Sequence, residues 1–372
     1  MSVRVAIRRS LATGSLDVDF SAKAGRTAIL GASGCGKTMT LKCVAGTERP
    51  DSGAVTIDGR AVFDTTRGVD IRPQERRCGF LFQNYALFPN MTVRENVRII
   101  ARSRVRARGP FPPGEARATF PSNADADAVA DGMLERLALA PYADQRPARL
   151  SGGQQQRAAL ARILVSDPRA ILLDEPLSAL DAFLRSSVER ELAAILSEFT
   201  GTVLMVTHDF DEAYRLCDDI LIMENGRIAQ SGPKESVFAR PATVGAARLT
   251  GCENVAKADR AGAKRIAVPS WGLILETEEF VPDGLTHVGI RARHVRDARD
   301  GDERNCFDFS LRARAGSAFS REWGASALTA AGVAGGDRDA RDELSVTGGE
   351  WPDGATRVRL CVPGESLLLF AG

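Results

Sequence analysis

The segment GASGCGKT, Gly31–Thr38, sets three glycines, a lysine and a threonine between an apolar run and a helical one. Gly31, Gly34 and Gly36 let the backbone curl, so that N–H groups of the loop, those of Ser33 and Cys35 included, point at one spot. A helix starting there adds the positive end of its dipole. A phosphate suits such a nest. Lys37 would neutralise β- and γ-phosphate charge, and the Thr38 hydroxyl is a hard oxygen ligand for Mg²⁺. A glycine-rich turn with a chance lysine would read the same way, but the strand–loop–helix setting favours the phosphate.

Other polar residues stand where apolar runs stop. ILLDEP (171–176) ends in two carboxylates. Asp174 suits Mg²⁺ coordination and Glu175 suits a general base that polarises an attacking water; alone, the triplet would equally begin a helix. Gln83 ends FLFQ and His208 ends TVLMVTH. An amide there would meet Mg²⁺ or water, and an imidazole would bond a γ-phosphate; a purely structural amide and imidazole are the alternative. SALD (178–181) reads as a helix cap, through Ser178 or Asp181. LSGGQQQR (150–157) offers Ser151, Gly152, Gly153 and Gln154 ahead of a helix, again an anion-binding arrangement.

These groups need a scaffold that brings strand ends together. RTAILGA (26–32), CGFLFQ (78–83), AILLDEP (170–176) and GTVLMVTHD (201–209) are continuous apolar runs ending in polar residues. Such runs fit strands buried on both faces, hence a mostly parallel sheet flanked by helices. Ligands of such sheets gather at the strands' carboxyl ends, so the four endings are expected to share one site. Leu184, Val188, Leu192, Ile195 and Phe199 form one apolar helical stripe. Residues 101–125, with arginines at every second position and then Pro/Gly-rich text, read either as an anion-contacting arm or as a solvated loop opening a helical subdomain. After Pro241 the text turns β-like, with a weakly patterned middle at 325–350. The organisation expected is an α/β domain over 1–240, its helical subdomain at about 90–165, then a linker and a small β-rich domain over 241–372.

Bulk properties exclude several classes. Lys plus Arg number 49 against 48 Asp plus Glu, so no global charge draws the chain to nucleic acid. No run approaches the ~20 apolar residues of a membrane span, and MSVRVAIRRSLATG lacks the apolar core of a signal peptide. The seven cysteines, 35, 43, 78, 217, 252, 306 and 361, form no metal-ligand spacing, and a reduced cytosolic protein is expected to carry them as thiols.

In this order and spacing, GASGCGKT, FLFQ, LSGGQQQR, ILLDEP, SALD and THD resemble the ATP-binding cassette ATPases over about 1–240. The resemblance implies a P-loop NTPase cassette with a helical signature subdomain, using ATP and Mg²⁺. It also implies a head-to-tail homodimer, each ATP lying between one copy's phosphate loop and the other's signature loop. Carried over residue by residue, Gly31–Thr38 bind phosphates, and Thr38, Gln83 and Asp174 serve Mg²⁺. Glu175 is the base, His208 the γ-phosphate switch, Ser151–Gln154 the signature contact and Asp181 a residue of the dimer seam. One position departs: where the family usually stacks an aromatic ring on adenine, this chain has Leu11, Ala12 or Leu16, so aliphatic packing is expected instead.

A β-rich appendage resembles that of bacterial importers of oxyanions, polyamines, iron and sugars, and the text at 69–97, 216–255, 268–276 and 286–295 resembles the molybdate and sulfate branch. Molybdate or tungstate is the cargo the resemblance implies, with sulfate, thiosulfate or another small solute as the alternative. The implied partners are integral-membrane permease subunits and, indirectly, an extracytoplasmic solute-binding protein; the implied place is the cytoplasmic face of the membrane. Tyr85, Leu87, Phe88 and Pro89 are expected either to meet the permease or to pack as local core. Arg291, Arg293 and His294 read as oxyanion contacts or as solvent-facing strand residues. A cytosolic, nucleotide-switched oxyanion-binding regulator is the competing reading.

Overall fold

The computed structural model describes residues 1–12, 14–106, 123–178, 182–317, 320–328, 343–347 and 357–371. The chain divides into two compact units, Met1–Lys234 and Glu235–Gly372, so the break falls at the helix Lys234–Ala239.

The first unit is built on a six-stranded sheet. Its order is Arg227–Pro233, Asp219–Glu224, Gly25–Gly31, Thr202–Val206, Ala170–Asp174, Cys78–Leu81. All neighbours run parallel except the first pair, an antiparallel edge. Every residue of Ala170–Asp174 and Thr202–Val206 is buried, which is why these strands read as unbroken apolar runs. Val206 lies opposite both Ile29 and Asp174 in register, so the strand ends stand level.

The sequence-based expectation put helices on this sheet; the structure adds a five-stranded antiparallel sheet, Ser2–Leu11 and Gly14–Lys23 among its members. Val3, Val5 and Ile7 alternate inward from its first strand. They share a core with Leu41 and Val44 of the helix Lys37–Ala45 and with Leu172 and Leu204 of the parallel sheet. One face of the parallel sheet is thus covered by strands as well as by that helix. Period-two alternation in so short and arginine-rich a segment carries little signal before its partner strands are known.

Helices Val93–Arg106, Asn123–Arg136 and Gly152–Leu164 make the helical region. Residues 101–106 continue the first of these, and 107–122 lie outside the described residues. Asn96, fully buried, donates to the carbonyls of Phe88, Met91 and Thr92 and accepts from the Phe88 N–H. A single side chain therefore pins the 88–92 turn to its helix. Of the apolar stripe expected over 184–199, Val188 and Leu192 are buried on the helix Ala182–Ser197 and Ile195 is half-buried, while the side chain of Leu184 lies outside the described residues. Phe199 falls beyond the helix end, and Leu196, not expected, is buried in its stead.

The second unit is antiparallel throughout its three sheets, with Trp271, Phe309 and Trp323 in its core. The expected linker after 240 contains a helix, Val244–Leu249, capped by the Thr243 hydroxyl. Arg291 and His294 are not solvent-facing strand residues. Arg291 is 4% exposed, donates to the carbonyls of Phe238 and Thr250 and stacks on the Phe238 ring, so its charge closes two helix ends. Arg293 and His294 stand on a short 3₁₀ turn, and burial followed by the neighbouring Arg293 holds the imidazole below its usual value. The expectation of seven thiols is also corrected. Cys306 and Cys361 face each other in register on neighbouring strands and form a disulfide, leaving five free cysteines. Adjacent antiparallel strands bring Cα atoms this close whatever the separation along the chain.

Candidate nucleotide site at the strand ends

The loop after Gly25–Gly31 leads directly into the helix Lys37–Ala45. Gly36 occupies the helix's N-cap with φ 105°, a backbone conformation that side chains with a Cβ rarely adopt. Lys37 is 6% exposed, and its ammonium donates to the Gly31 carbonyl at 2.8 Å and the Ala32 carbonyl at 2.9 Å. The charge is therefore held at the mouth of the loop by two neutral carbonyl acceptors.

Thr38 Oγ1 donates to Asp174 Oδ1 at 2.8 Å. Asp174 is 8% exposed, and burial raises its carboxyl above the usual range, with the Thr38 hydrogen bond opposing and the charge of Glu175 adding to the shift. A half-buried hydroxyl and a buried carboxylate in contact are the hard oxygen donors that a small divalent cation takes, so this pair fits Mg²⁺.

Glu175 follows with φ 47°, left-handed for a residue with a full side chain. Its N–H donates to the Val206 carbonyl and its own carbonyl accepts from the Ser178 N–H, which fixes the turn. Backbone strain of this kind persists where surrounding bonds overdetermine it and concentrates at functional sites. The turned side chain meets the next strand end: His208 Nδ1 lies 3.3 Å from Glu175 Oε1, a hydrogen bond when that nitrogen carries the proton.

A cavity of about 600 Å³ joins these parts, lined by Leu11, Ser33, Gly34, Gly36, Lys37, Thr38, Met39, Lys42, Glu175 and His208. Leu11 thus stands at the phosphate loop, where the sequence offered it as an aliphatic stand-in for an aromatic ring. Leu16 is fully buried beside Gly36, and Ala12 is exposed. Met39 and Lys42 were not singled out from sequence; their place in the helix that follows the loop was the available signal.

Several expected members are absent from that cavity's lining, Gly31, Cys35, Asp174 and Gln83 among them. Gln83 is exposed and donates to the Ser178 hydroxyl at 3.2 Å, which in turn donates to the Glu175 carbonyl at 2.9 Å. It thus reaches the Glu175 turn through one hydroxyl. Ser151–Gln154 are also absent from the lining. Ser151 caps the helix Gly152–Leu164 in a reciprocal box with Gln154, each backbone N–H donating to the other's side chain. Gly152 is half-buried. Gly153 is buried, and a Cβ there would sit 2.9 Å from Val188 Cγ2, so its small size serves helix packing. Asp181 lies outside the described residues.

The segment beyond Gln83 is joined to the helix Gly152–Leu164. Arg162 donates to the Ala86 carbonyl at 2.6 Å and lies over the Phe88 ring, while Tyr85 and Ala86 both hold positive φ. Of the four residues expected at a docking surface or in a local core, Tyr85 is buried and Leu87 half-buried, whereas Phe88 and Pro89 are exposed.

A phosphate loop at the end of one parallel strand, with a buried carboxylate, a turned glutamate and a histidine on the next two, defines a P-loop NTPase. The ABC transporter family model matches residues 16–178. A molybdenum import ATP-binding protein of Paramagnetospirillum magneticum is 35% identical over 80% of this chain and 79% of its own length. A sulfate/thiosulfate import ATP-binding protein of Vibrio vulnificus is 42% identical over 65% of each chain. Among solved structures, a dimeric ATP-binding cassette in a post-hydrolysis state bound to ADP and Pi superposes with a TM-score of 0.50 at 27% identity, covering 63% of this chain and 99% of that one. The chain belongs to the ABC transporter family, as an ATP-binding ATPase of that family. Among the described residues no helix is long and apolar enough to cross a membrane.

Proposed function

We propose that this ATPase powers an importer of an oxyanion, molybdate or tungstate, working as a head-to-tail homodimer on the cytoplasmic face of the membrane. Its partners are integral-membrane permease subunits, supplied by an extracytoplasmic solute-binding protein. The observation that carries the substrate is the match to a molybdenum import protein, which spans 80% of this chain and so runs well past the cassette into the second unit. Sulfate or thiosulfate is the second reading, favoured by the higher identity of the Vibrio vulnificus protein.

In this reading the loop Gly31–Thr38, with Ser33, Gly34, Cys35 and Gly36 between, wraps the β- and γ-phosphates. Lys37 exchanges its two carbonyl acceptors for phosphate oxygens. Thr38 and Asp174, joined by Gln83 as the nucleotide is clasped, hold Mg²⁺, which supplies charge neutralisation at the transferring phosphoryl group. Glu175 accepts the proton of the attacking water, and His208 holds both that carboxylate and the γ-phosphate in place. Ser151, Gly152, Gly153 and Gln154 of a second copy close over the same phosphate, and Asp181 meets the partner across the seam. Catalysis is then positioning and electrostatic stabilisation, complete only when two chains meet. The second unit serves regulation.

The test is ATP turnover by the complex reconstituted with its permease and binding protein, with molybdate, tungstate, sulfate or spermidine supplied in turn. Stimulation by molybdate and tungstate supports the proposal, and stimulation by sulfate alone replaces it with the second reading. Molybdate binding to the isolated chain without any need for membrane partners would favour a cytosolic regulator.

A further inference from the structure

The turn that presents His208 is held by a buried acid to which the reading above gives no task. Glu212, 5% exposed, sits in the first turn of the helix Phe210–Leu216. Thr207, 1% exposed, donates its hydroxyl to Glu212 Oε2 at 2.7 Å and accepts the Asp209 N–H at 3.1 Å. The Glu212 N–H donates to Asp209 Oδ1 at 3.1 Å, and the Thr207 N–H reaches the Ile29 carbonyl. Residues on both sides of His208 are thus clamped, while the imidazole itself stands largely exposed and facing Glu175.

The arrangement costs stability, which marks it as more than packing. Glu212 Oε1 is buried without a hydrogen-bond partner among the described residues. The charged groups around the carboxyl are Asp209 at the start of its own helix, with Arg185 and Glu189 from the helix Ala182–Ser197. The cations are engaged elsewhere: Arg185 pairs with Asp209, and Arg215 pairs with Glu189 through both carboxylate oxygens. Burial raises the carboxyl to about 7, so near neutral pH a large share of molecules carries it as a neutral acceptor. An apolar residue would fill the same space without this cost, but it would leave the Thr207 hydroxyl free to rotate.

We propose that Glu212 is a positioning residue for hydrolysis: by accepting the Thr207 hydroxyl it fixes the main chain that holds His208 against Glu175. The inference rests on the role given to His208, and the experiment separates the two. ATPase activity of the full chain is compared for H208A, E212Q, E212A, T207V, T207S and the double variant E212A/T207V. H208A is expected to lower kcat by about 100-fold or more. E212A and T207V should each lower kcat by about tenfold, one hydrogen bond's worth of orientation, with KM for ATP unchanged. The double variant should be no worse than either single one, and E212Q and T207S, which keep acceptor and donor, should retain the parent rate. An impaired H208A beside E212A and T207V at parent kcat overturns the inference alone. So does loss that is additive in the double variant, or a rise of KM in step with the fall of kcat. An unimpaired H208A removes the reading of His208 itself. Should E212A fail to fold, the contrast of T207V with T207S carries the same decision.

Discussion

Thr38 and Asp174 touch, hydroxyl to carboxylate at 2.8 Å, although 136 residues separate them. The contact joins the first residues of the phosphate-loop helix to the end of a strand two places away in the sheet. In the proposed function it lets one cation site draw on two elements, and it sets the first expectation. Asp174→Asn keeps the hydrogen-bond acceptor and removes the charge. Mg²⁺-dependent ATP turnover should fall by about 100-fold or more, while nucleotide binding measured in EDTA stays near the parent value. Parent-like Mg²⁺ dependence in that variant would take Asp174 out of the metal site.

Glu175→Gln preserves the shape of the left-handed turn and removes the carboxylate to which the proposed function gives the base's role. Turnover should drop by about 10² to 10⁴ with ATP affinity retained. A longer-lived dimer should appear on gel filtration with ATP, because closure is kept and the step that reopens it is lost. An unaltered rate would leave water activation to another group.

Gly153 gives a prediction about packing. A Cβ would sit 2.9 Å from Val188 Cγ2, too close for an unshifted side chain. Gly153→Ala should cost about 1–3 kcal/mol in denaturant unfolding, the usual cost of overfilling a packed contact. Val188→Ala in the same chain should restore most of it. If both single and double variants unfold like the parent, the two helices do not meet there.

Glu212 makes stability depend on pH. Its carboxyl moves from 4.5 to about 7 on folding, so the folded protein binds the proton more tightly. That contribution is fully present below pH 4.5 and is lost as pH rises through 7. Between pH 5 and pH 8 the parent should lose about 2–3 kcal/mol relative to Glu212→Gln, which has no proton to release. Parallel pH profiles for the two proteins would place the ordinary value on the folded carboxyl.

Much of the site was legible in the chain because its parts are local. The glycine-rich loop, the carboxylate pair and His208 each follow an apolar run whose length and composition mark a buried strand, so their chemistry and setting were readable together. That they converge follows from parallel pairing, which puts all carboxyl ends on one edge. The antiparallel sheet was harder to read, since the burial of Val3, Val5 and Ile7 depends on a partner core drawn from distant strands.

What only the tertiary structure decided is which polar residues are occupied by the fold itself. LSGGQQQR presents three glutamines as equals, yet Gln154 closes a capping box and Gln155 donates to the Pro147 and Leu150 carbonyls. Gln156 is 1% exposed. Arg291 read as an anion contact or a solvent-facing strand residue and closes two helix ends; Cys306 and Cys361 read as thiols and are joined across a strand pair. Residue type and spacing determined the class of chemistry, since a nest of N–H groups beside a lysine is set by local backbone. The duty of each remaining polar group was settled by which donor or acceptor packing brought within about 3 Å, and no local pattern in the chain encodes that distance.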